Sequence, residues 1–177
     1  MIYIVRHGET DWNKEHRIQG HIDIPLNDQG RRDALKAKKK LKDVKFDVVF
    51  SSPLKRAYET AKIISNQDII IDERLIERYN GELEGCNDWD LLRDIPWNEE
   101  KVIKYHVEPV SSVRKRVNEF LEYILENYKG KNILIVTHAG NGIQIRCYFE
   151  GDPKDGDYAS YRLGNCEILK YDNKTTK

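Results

Sequence analysis

A chain of 177 residues is long enough to bury a hydrophobic core and short enough for one domain, so we expect a single domain over residues 1–177. Its 30 basic and 30 acidic side chains cancel, which excludes a global field that would draw it to nucleic acid or an anionic membrane. Three cysteines without motif spacing favour a reducing compartment. The first apolar run ends at Val5, too short for a signal peptide or a membrane span, so we expect a cytoplasmic protein.

The predicted elements begin as alternating strands and helices. Apolar β-rich runs indicate strands, and an apolar period near 3.6 residues indicates helices. Asn27 is the expected N-cap of the first helix, and Ser52 and Pro53 are the expected N-cap and first residue of the second. In chain order, the sequence predicts a strand at 1–5, a helix within 25–44, a strand at 47–51, a helix after 52 and a strand at 68–72.

The second half of the chain is less regular at first. Residues 72–110 show little clean periodicity. The clearest helix of the sequence follows at about 111–128, and a buried strand is predicted at 132–137. The tail, with SYRL at 160–163 and CEILKY at 166–171, is expected to form a hairpin or edge strands before a frayed basic end.

Continuous apolar strands separated by helices predict an α/β fold, a three-layer sandwich whose central, mostly parallel sheet is flanked by helices. Ligands of such sheets bind beyond the carboxyl ends of the strands. Arg6 and His7 follow the first strand, Ser52 follows the second, and His138 follows the strand at 132–137. We therefore expect these residues to meet at one end of the sheet.

That end would combine two histidines with two arginines, because Arg56 lies about one turn into the helix after Ser52. Guanidinium forks match phosphate oxygens, and a neutral imidazole can attack phosphorus to give a covalent intermediate. A protonated second histidine, His138, would stabilise the oxygens of the transferred group. The alternative is that Arg6 and His7 are polar surface residues at the end of a strand.

Phosphoryl transfer through histidine also needs a proton for the leaving oxygen. The stretch LIERYNGELEG at 75–85 offers Glu77, Glu82 and Glu84, and spacing alone does not choose among them. No His-x-x-x-His motif and no cysteine pair indicates a metal site, so we expect neither a metal nor a cofactor.

Four segments occur in a characteristic order: VRHGET-WN with a later QG, SSPLKRAYETA, L-E--NGELEG and VTHAG. Together they resemble the histidine phosphatase superfamily, also called the phosphoglycerate mutase-like branch 1 family, over about residues 1–145. The resemblance implies the phosphoglycerate mutase-like α/β fold and a metal-independent reaction. It also implies that His7 is the phosphorylated nucleophile and that Glu77, two residues after Leu75, is the proton donor. The phosphate-binding residues that it implies are Arg6, Asn13, Gln19, Gly20, Arg56, His138 and Ala139.

Three positions depart from the family pattern. Residues 109–111 read PVS in place of a Gly-Glu-Ser stretch, Leu83 stands where a tryptophan is common, and Ile143 stands where an arginine is frequent. Because these positions lie where leaving-group contacts would form, the resemblance leaves the substrate open.

The expected function is a metal-independent phosphomonoesterase that acts through phosphohistidine on a small phosphorylated metabolite. The alternatives are a phosphoglycerate mutase and a non-catalytic phosphate-binding module. A mutase needs added cationic contacts and a lid that excludes water. In residues 86–110 the basic side chains are scattered among acidic and aromatic ones, which favours hydrolysis and a neutral or cationic leaving group. The sequence leaves a homodimer open.

Overall fold

A computed structural model describes residues 1–94 and 99–173 of the chain. The predicted frayed end at residues 174–177 lies outside this described part. Single-turn 3-10 helices lie at Glu73–Leu75, Gly81–Leu83 and Tyr158–Tyr161. The other elements are β1 (Ile2–Arg6), α1 (Asp11–Lys14), α2 (Asp28–Lys40), β2 (Val48–Ser51), α3 (Lys55–Ser65), β3 (Ile70–Ile71), α4 (Trp89–Asp94), α5 (Glu99–Lys104), α6 (Val110–Asn127), β4 (Ile133–Thr137), α7 (Ala139–Glu150) and β5 (Ile168–Tyr171).

The central sheet has five strands in the order β3-β2-β4-β1-β5. All neighbouring strands are parallel except β5, which pairs antiparallel with β1. In the β1–β4 ladder, Arg6 lies opposite Thr137. The predicted α/β fold with a mostly parallel sheet is therefore confirmed, and the carboxyl ends of β1, β2 and β4 lie at one edge.

Helices cover both faces of the sheet, and β1 shows why. Its residues are buried on both sides and alternate between two hydrophobic clusters. Ile2 and Ile4 pack in the cluster that contains the apolar face of α6, whereas Tyr3 and Val5 pack in the cluster that contains the inner faces of α2 and α3. Because successive strand residues point to opposite faces, a continuous apolar run requires this double cover.

Helix ends follow the sequence prediction at α2 but not at α3. Asn27 caps α2 as expected, since its side-chain oxygen accepts a hydrogen bond from the backbone of Gly30 at 2.8 Å. The predicted N-cap at Ser52 is wrong, because α3 begins at Lys55 with Leu54 as its N-cap residue. The Ser52 hydroxyl instead contacts a side chain from another strand end, as described below.

The tail confirms one predicted strand and overturns another. β5 is an edge strand within the CEILKY run, as expected. The SYRL run is not a strand, because the 3-10 helix Tyr158–Tyr161 takes up its first half. Asp157 starts this helix by accepting a hydrogen bond from the backbone of Ala159 at 3.0 Å. None of the helices in the described ranges has the length and apolar character that crossing a membrane requires.

Candidate active site

The two histidines of the predicted site meet at the carboxyl edge of the sheet. His7 follows β1 and His138 follows β4, and these strands are parallel neighbours. The two imidazole rings lie 5.1 Å apart, measured between their centroids, at an interplanar angle of 58°. The expectation that both histidines reach one end of the sheet is therefore confirmed.

His7 is buried and held in a defined orientation. Its Nδ1 lies 2.7 Å from the carbonyl oxygen of Gly8, so Nδ1 carries the proton and donates it to that carbonyl. The other ring nitrogen, Nε2, is then unprotonated and has a free lone pair. Burial, followed by the charges of Arg56 and Arg6, lowers the pKa of His7 well below its ordinary value. A neutral, oriented imidazole is the form that can attack an electrophile.

Gly8 is required by the close approach of α2. A Cβ atom at this position would come within 2.5 Å of the carbonyl oxygen of Gly30, which lies in the first turn of α2. The Gly8 amide also donates a hydrogen bond to the Thr60 hydroxyl at 3.0 Å. The Gly8 backbone, which accepts the hydrogen bond from His7, is therefore in contact with both α2 and α3.

His138 is fully buried and makes one hydrogen bond through its ring. Its Nε2 lies 2.7 Å from the hydroxyl oxygen of Ser52. Its Nδ1 is buried and has no hydrogen-bond partner within the described part of the chain. Burial, followed by the charge of Arg56, lowers the pKa of His138 well below its ordinary value. Burial and the adjacent guanidinium groups oppose a positive charge on His138 in the free protein, so the protonated His138 expected beside a transferred phosphoryl group stays a prediction.

The two arginines of the site are bonded to backbone carbonyls rather than to carboxylates. Arg6 donates to the carbonyl of Leu163 at 2.8 Å, and Arg56 donates to the carbonyls of Gly20 and Ile22 at 2.7 and 3.0 Å. The Nε atoms of both arginines are buried and lack a hydrogen-bond partner among the residues described. Burial lowers the pKa of Arg6 to about 10 and also lowers that of Arg56. Their positive charges are only partly balanced.

Among the three candidate glutamates, Glu77 is the one that lines the cavity beside His7. Its carboxylate is buried and accepts hydrogen bonds from the backbone amides of Arg78 at 2.9 Å and Gly140 at 3.2 Å. Glu84 instead accepts from backbone amides at the neighbouring loop, and Glu82 contacts an exposed histidine. Geometry therefore separates the three carboxylates where spacing could not.

The remaining predicted residues divide between the cavity wall and its support. The cavity has a volume of about 160 Å³, and Asn13, Gln19 and Ala139 line it together with Arg6, His7 and Arg56. Gly20 does not line the cavity, and its carbonyl instead holds the guanidinium of Arg56. A Cβ atom at Gly20 would come within 2.0 Å of the Glu84 carboxylate.

Several lining residues were missed from the sequence, chiefly three arginines. Arg17, Arg78 and Arg162 all line the cavity, and none of them lies in the segment 86–110. Of that segment's described residues, only Trp89 and Leu92 contribute to the lining. Arg78 adjoins Glu77 in the sequence, which is a weak signal. Arg162 has no sequence signal that would place it at the site, since it lies in a run that resembled a strand.

No three His, Cys, Asp or Glu side chains in the described ranges come together in a way that could hold a metal ion. Five arginines of the described chain line the cavity, and guanidinium groups suit anions rather than cations.

Comparisons with known proteins agree with the geometry. A family model described as histidine phosphatase superfamily (branch 1) matches residues 2–177. Phosphoglycerate mutase-like protein 4 of Arabidopsis thaliana is 36% identical, over 78% of this chain and 66% of its own length. The uncharacterized phosphatase PhoE of Bacillus subtilis is also 36% identical, over 77% of this chain and 70% of its own. The solved structure of YhfR from Bacillus stearothermophilus superposes with a TM-score of 0.80 at 31% identity, covering 98% of this chain and 92% of that one. The chain therefore belongs to the histidine phosphatase superfamily, branch 1, and its relatives include proteins named as phosphatases and as phosphoglycerate mutase-like enzymes.

Proposed function

We propose that the protein is a metal-independent phosphomonoesterase that forms a phosphohistidine intermediate from a small phosphorylated metabolite. One observation carries the proposal: three buried polar atoms beside His7 lack hydrogen-bond partners in the described part of the chain. They are Nε of Arg6, Nε of Arg56 and Nδ1 of His138. Both arginine Nε atoms carry a hydrogen, and His138 Nδ1 carries one when the Ser52 hydroxyl donates to Nε2. Unpaired buried donors are unfavourable, and a phosphoryl group that accepts from all three would satisfy them and balance the guanidinium charges.

The first chemical step transfers the phosphoryl group to His7. Its Nε2 lone pair attacks phosphorus, the nitrogen–phosphorus bond forms and the bond to the leaving oxygen breaks. The guanidinium groups of Arg6 and Arg56 stabilise the negative charge on the three equatorial oxygens. Glu77, as a carboxylic acid, gives its proton to the leaving oxygen.

The second step returns the enzyme to its starting state. Water attacks phosphorus, the nitrogen–phosphorus bond to His7 breaks, and Glu77, now a carboxylate, takes the proton that the water loses. Inorganic phosphate leaves. The protons balance over the two steps, because Glu77 ends as the acid it was at the start.

Hydrolysis is preferred to mutase transfer because of the described part of the cavity wall. Residues 86–94 contribute Trp89 and Leu92 to the wall and no cationic side chain. The outer arginines Arg17, Arg78 and Arg162 come from separate segments rather than from one lid. A mutase must retain a bisphosphate while it turns over, and this requires a cationic lid that excludes water. A non-catalytic module would have no need of an oriented, neutral imidazole 5.1 Å from a second one.

The test is a panel of phosphorylated metabolites assayed with and without a chelator. We expect phosphate release that a chelator leaves unchanged and that His7→Ala reduces by at least about 1,000-fold, because the nucleophile is lost. His106→Ala is the matched control, since this histidine is exposed and lies outside the cavity. Loss of activity with chelator, or a fully active His7→Ala enzyme, would contradict the mechanism.

The mutase alternative has its own assay. The enzyme is incubated with a monophosphoglycerate and a trace of the bisphosphate, and both isomer exchange and free phosphate are followed. Rapid exchange with little phosphate released would assign the protein as a mutase.

A further inference from the structure

The outer part of the cavity carries a guanidinium group that the proposed phosphoryl chemistry does not use. Arg162 follows the 3-10 helix Tyr158–Tyr161, is exposed, and lines the same cavity as His7. The groups assigned to the phosphate lie deeper, since His7, Arg6 and Arg56 are buried. The deep end therefore suits the phosphoryl group, and the outer end suits the leaving group.

Arg162 differs in its partners from the other two outer arginines. Arg17 pairs with the carboxylate of Glu15 at 3.3 Å, and Arg78 donates through Nε to the carbonyl of Glu108 at 2.7 Å, although the buried Nη2 of Arg78 has no hydrogen-bond partner in the described part of the chain. Over residues 1–94 and 99–173, the guanidinium of Arg162 has neither a hydrogen bond nor an ion pair, and its contact is with an aromatic ring. Its charge is thus available to a ligand.

The aromatic ring orients this guanidinium without using its donors. Arg162 Cζ lies 4.6 Å from the ring centroid of Trp89, in cation–π geometry. The Trp89 ring is itself fixed, because its Nε1 donates to the carbonyl of His16 at 2.7 Å. A guanidinium group in face contact with a ring keeps its N–H groups free, so Arg162 presents a pre-oriented fork.

Hydrogen bonds hold the segment around Arg162 against the site. The carbonyl of Leu163 accepts from Arg6, and the side-chain amide of Asn165 donates to the carbonyl of His7 at 2.9 Å. After burial, the charge of Arg162 is the next cause that lowers the pKa of Arg6, which agrees with their closeness. The position of Arg162 relative to the nucleophile is therefore set by the fold.

We propose that Arg162 is a specificity-determining residue that binds a carboxylate on the leaving group, so that the substrate class is the phosphorylated hydroxy acids. A carboxylate matches one free guanidinium fork through two parallel hydrogen bonds, whereas a second phosphate would call for more cations. This reverses the expectation of a neutral or cationic leaving group. That expectation used only residues 86–110, and the outer arginines come from other segments. The inference rests on the proposed phosphatase function.

Three probes with one two-carbon skeleton isolate the charge of the leaving group. They are 2-phosphoglycolate, ethyl phosphate and O-phosphoethanolamine, which end in a carboxylate, a methyl group and an ammonium group. Their dissociation constants are measured by calorimetry with the His7→Ala protein, which needs no turnover. We expect phosphoglycolate to bind at least about 10-fold more tightly than ethyl phosphate, the effect of a hydrogen-bonded charge pair, and phosphoethanolamine to bind most weakly.

Replacing Arg162 by alanine in that background should bring the preference for phosphoglycolate over ethyl phosphate below about 3-fold, because the pair is removed. The Arg162→Lys variant should keep part of it, since charge remains without the planar fork. Arg146→Ala is the matched control. Arg146, in α7, places its Cζ 4.4 Å from the ring centroid of Tyr161, which lies in the same tail as Arg162. Arg146 does not line the cavity, so its loss should leave the preference unchanged.

The outcomes separate this inference from the phosphatase proposal. Equal affinities for the three probes, or a preference that survives Arg162→Ala, would overturn the carboxylate subsite. A preference that Arg162→Ala abolishes would support the subsite even if the protein with His7 intact hydrolysed none of the probes, and that second result would instead count against the phosphatase.

Discussion

Acidification should destabilise the folded protein, because two histidines are buried as neutral imidazoles. His7 and His138 are 3% and 0% exposed, and burial is the main cause that lowers the pKa of each. In the unfolded chain both would titrate near the ordinary histidine pKa of about 6.5. Below that pH the unfolded state binds more protons than the folded state until the lowered pKa is reached. Their contribution to stability is therefore fully present above pH 6.5 and is lost as the pH falls below it.

The magnitude follows from the number of buried imidazoles. If the folded protein takes up no proton, each histidine removes between about 1 and 2 kcal/mol of unfolding free energy between pH 7.5 and pH 5.5. The pair, His7 and His138, would remove roughly 3 kcal/mol over that interval. This is a large part of the roughly 5–15 kcal/mol by which domains are stable, so it should be readily measured.

The assay is urea unfolding at pH 7.5 and pH 5.5, followed by far-UV circular dichroism. The His7→Gln variant has lost one of the two buried groups and should show about half the decrease. His106→Gln, which alters an exposed histidine, should behave like the unchanged protein. A pH-independent free energy of unfolding, or a full decrease in His7→Gln, would refute the reasoning.

Two further changes probe proton transfer and histidine orientation. Glu77→Gln should reduce turnover of alkyl phosphates by roughly 100-fold or more but affect an activated aryl phosphate much less, because an aryloxide leaves without a proton; equal losses would indicate a structural role. Ser52→Ala should weaken binding of inorganic phosphate by about 10-fold, because the hydrogen bond to His138 Nε2 at 2.7 Å would no longer keep the proton on Nδ1. The ¹⁵N shifts of His138 should then report a mixed tautomer, and an unchanged tautomer would contradict this positioning role.

The parts of the site that could be predicted from the sequence are those fixed by strand order alone. His7 and His138 each follow directly after a buried apolar run, and parallel neighbours deliver such residues to one edge. Glu77 could be singled out only from the fold, because three glutamates share one short stretch and only backbone geometry shows which carboxylate faces the cavity.

The sequence-based predictions fail where a contact with a residue distant in the chain outweighs a local conformational preference. Ser52 before a proline has the local pattern of a helix N-cap, but its hydroxyl contacts His138, 86 positions away in the chain. Arg162 lies in a run of β-rich composition, and its place beside the cavity depends on the hydrogen bond from Arg6 to Leu163. No periodicity within the tail encodes either contact.

The position of β1, the strand that precedes His7, has a consequence for how the protein is made. β1 lies between β4 and β5, so the earliest of these five strands in the chain pairs only with strands that begin more than a hundred residues later. Until residues 133–137 have left the ribosome, Ile2–Arg6 is an apolar segment with two unpaired edges, and the edge that pairs with β5 stays open until residues as far as Tyr171 follow. Pairings of such long sequence separation form slowly, and the exposed strand would be a natural target for chaperones during synthesis. Appearance of activity in a translation reaction would therefore report completion of the sheet rather than formation of its first half.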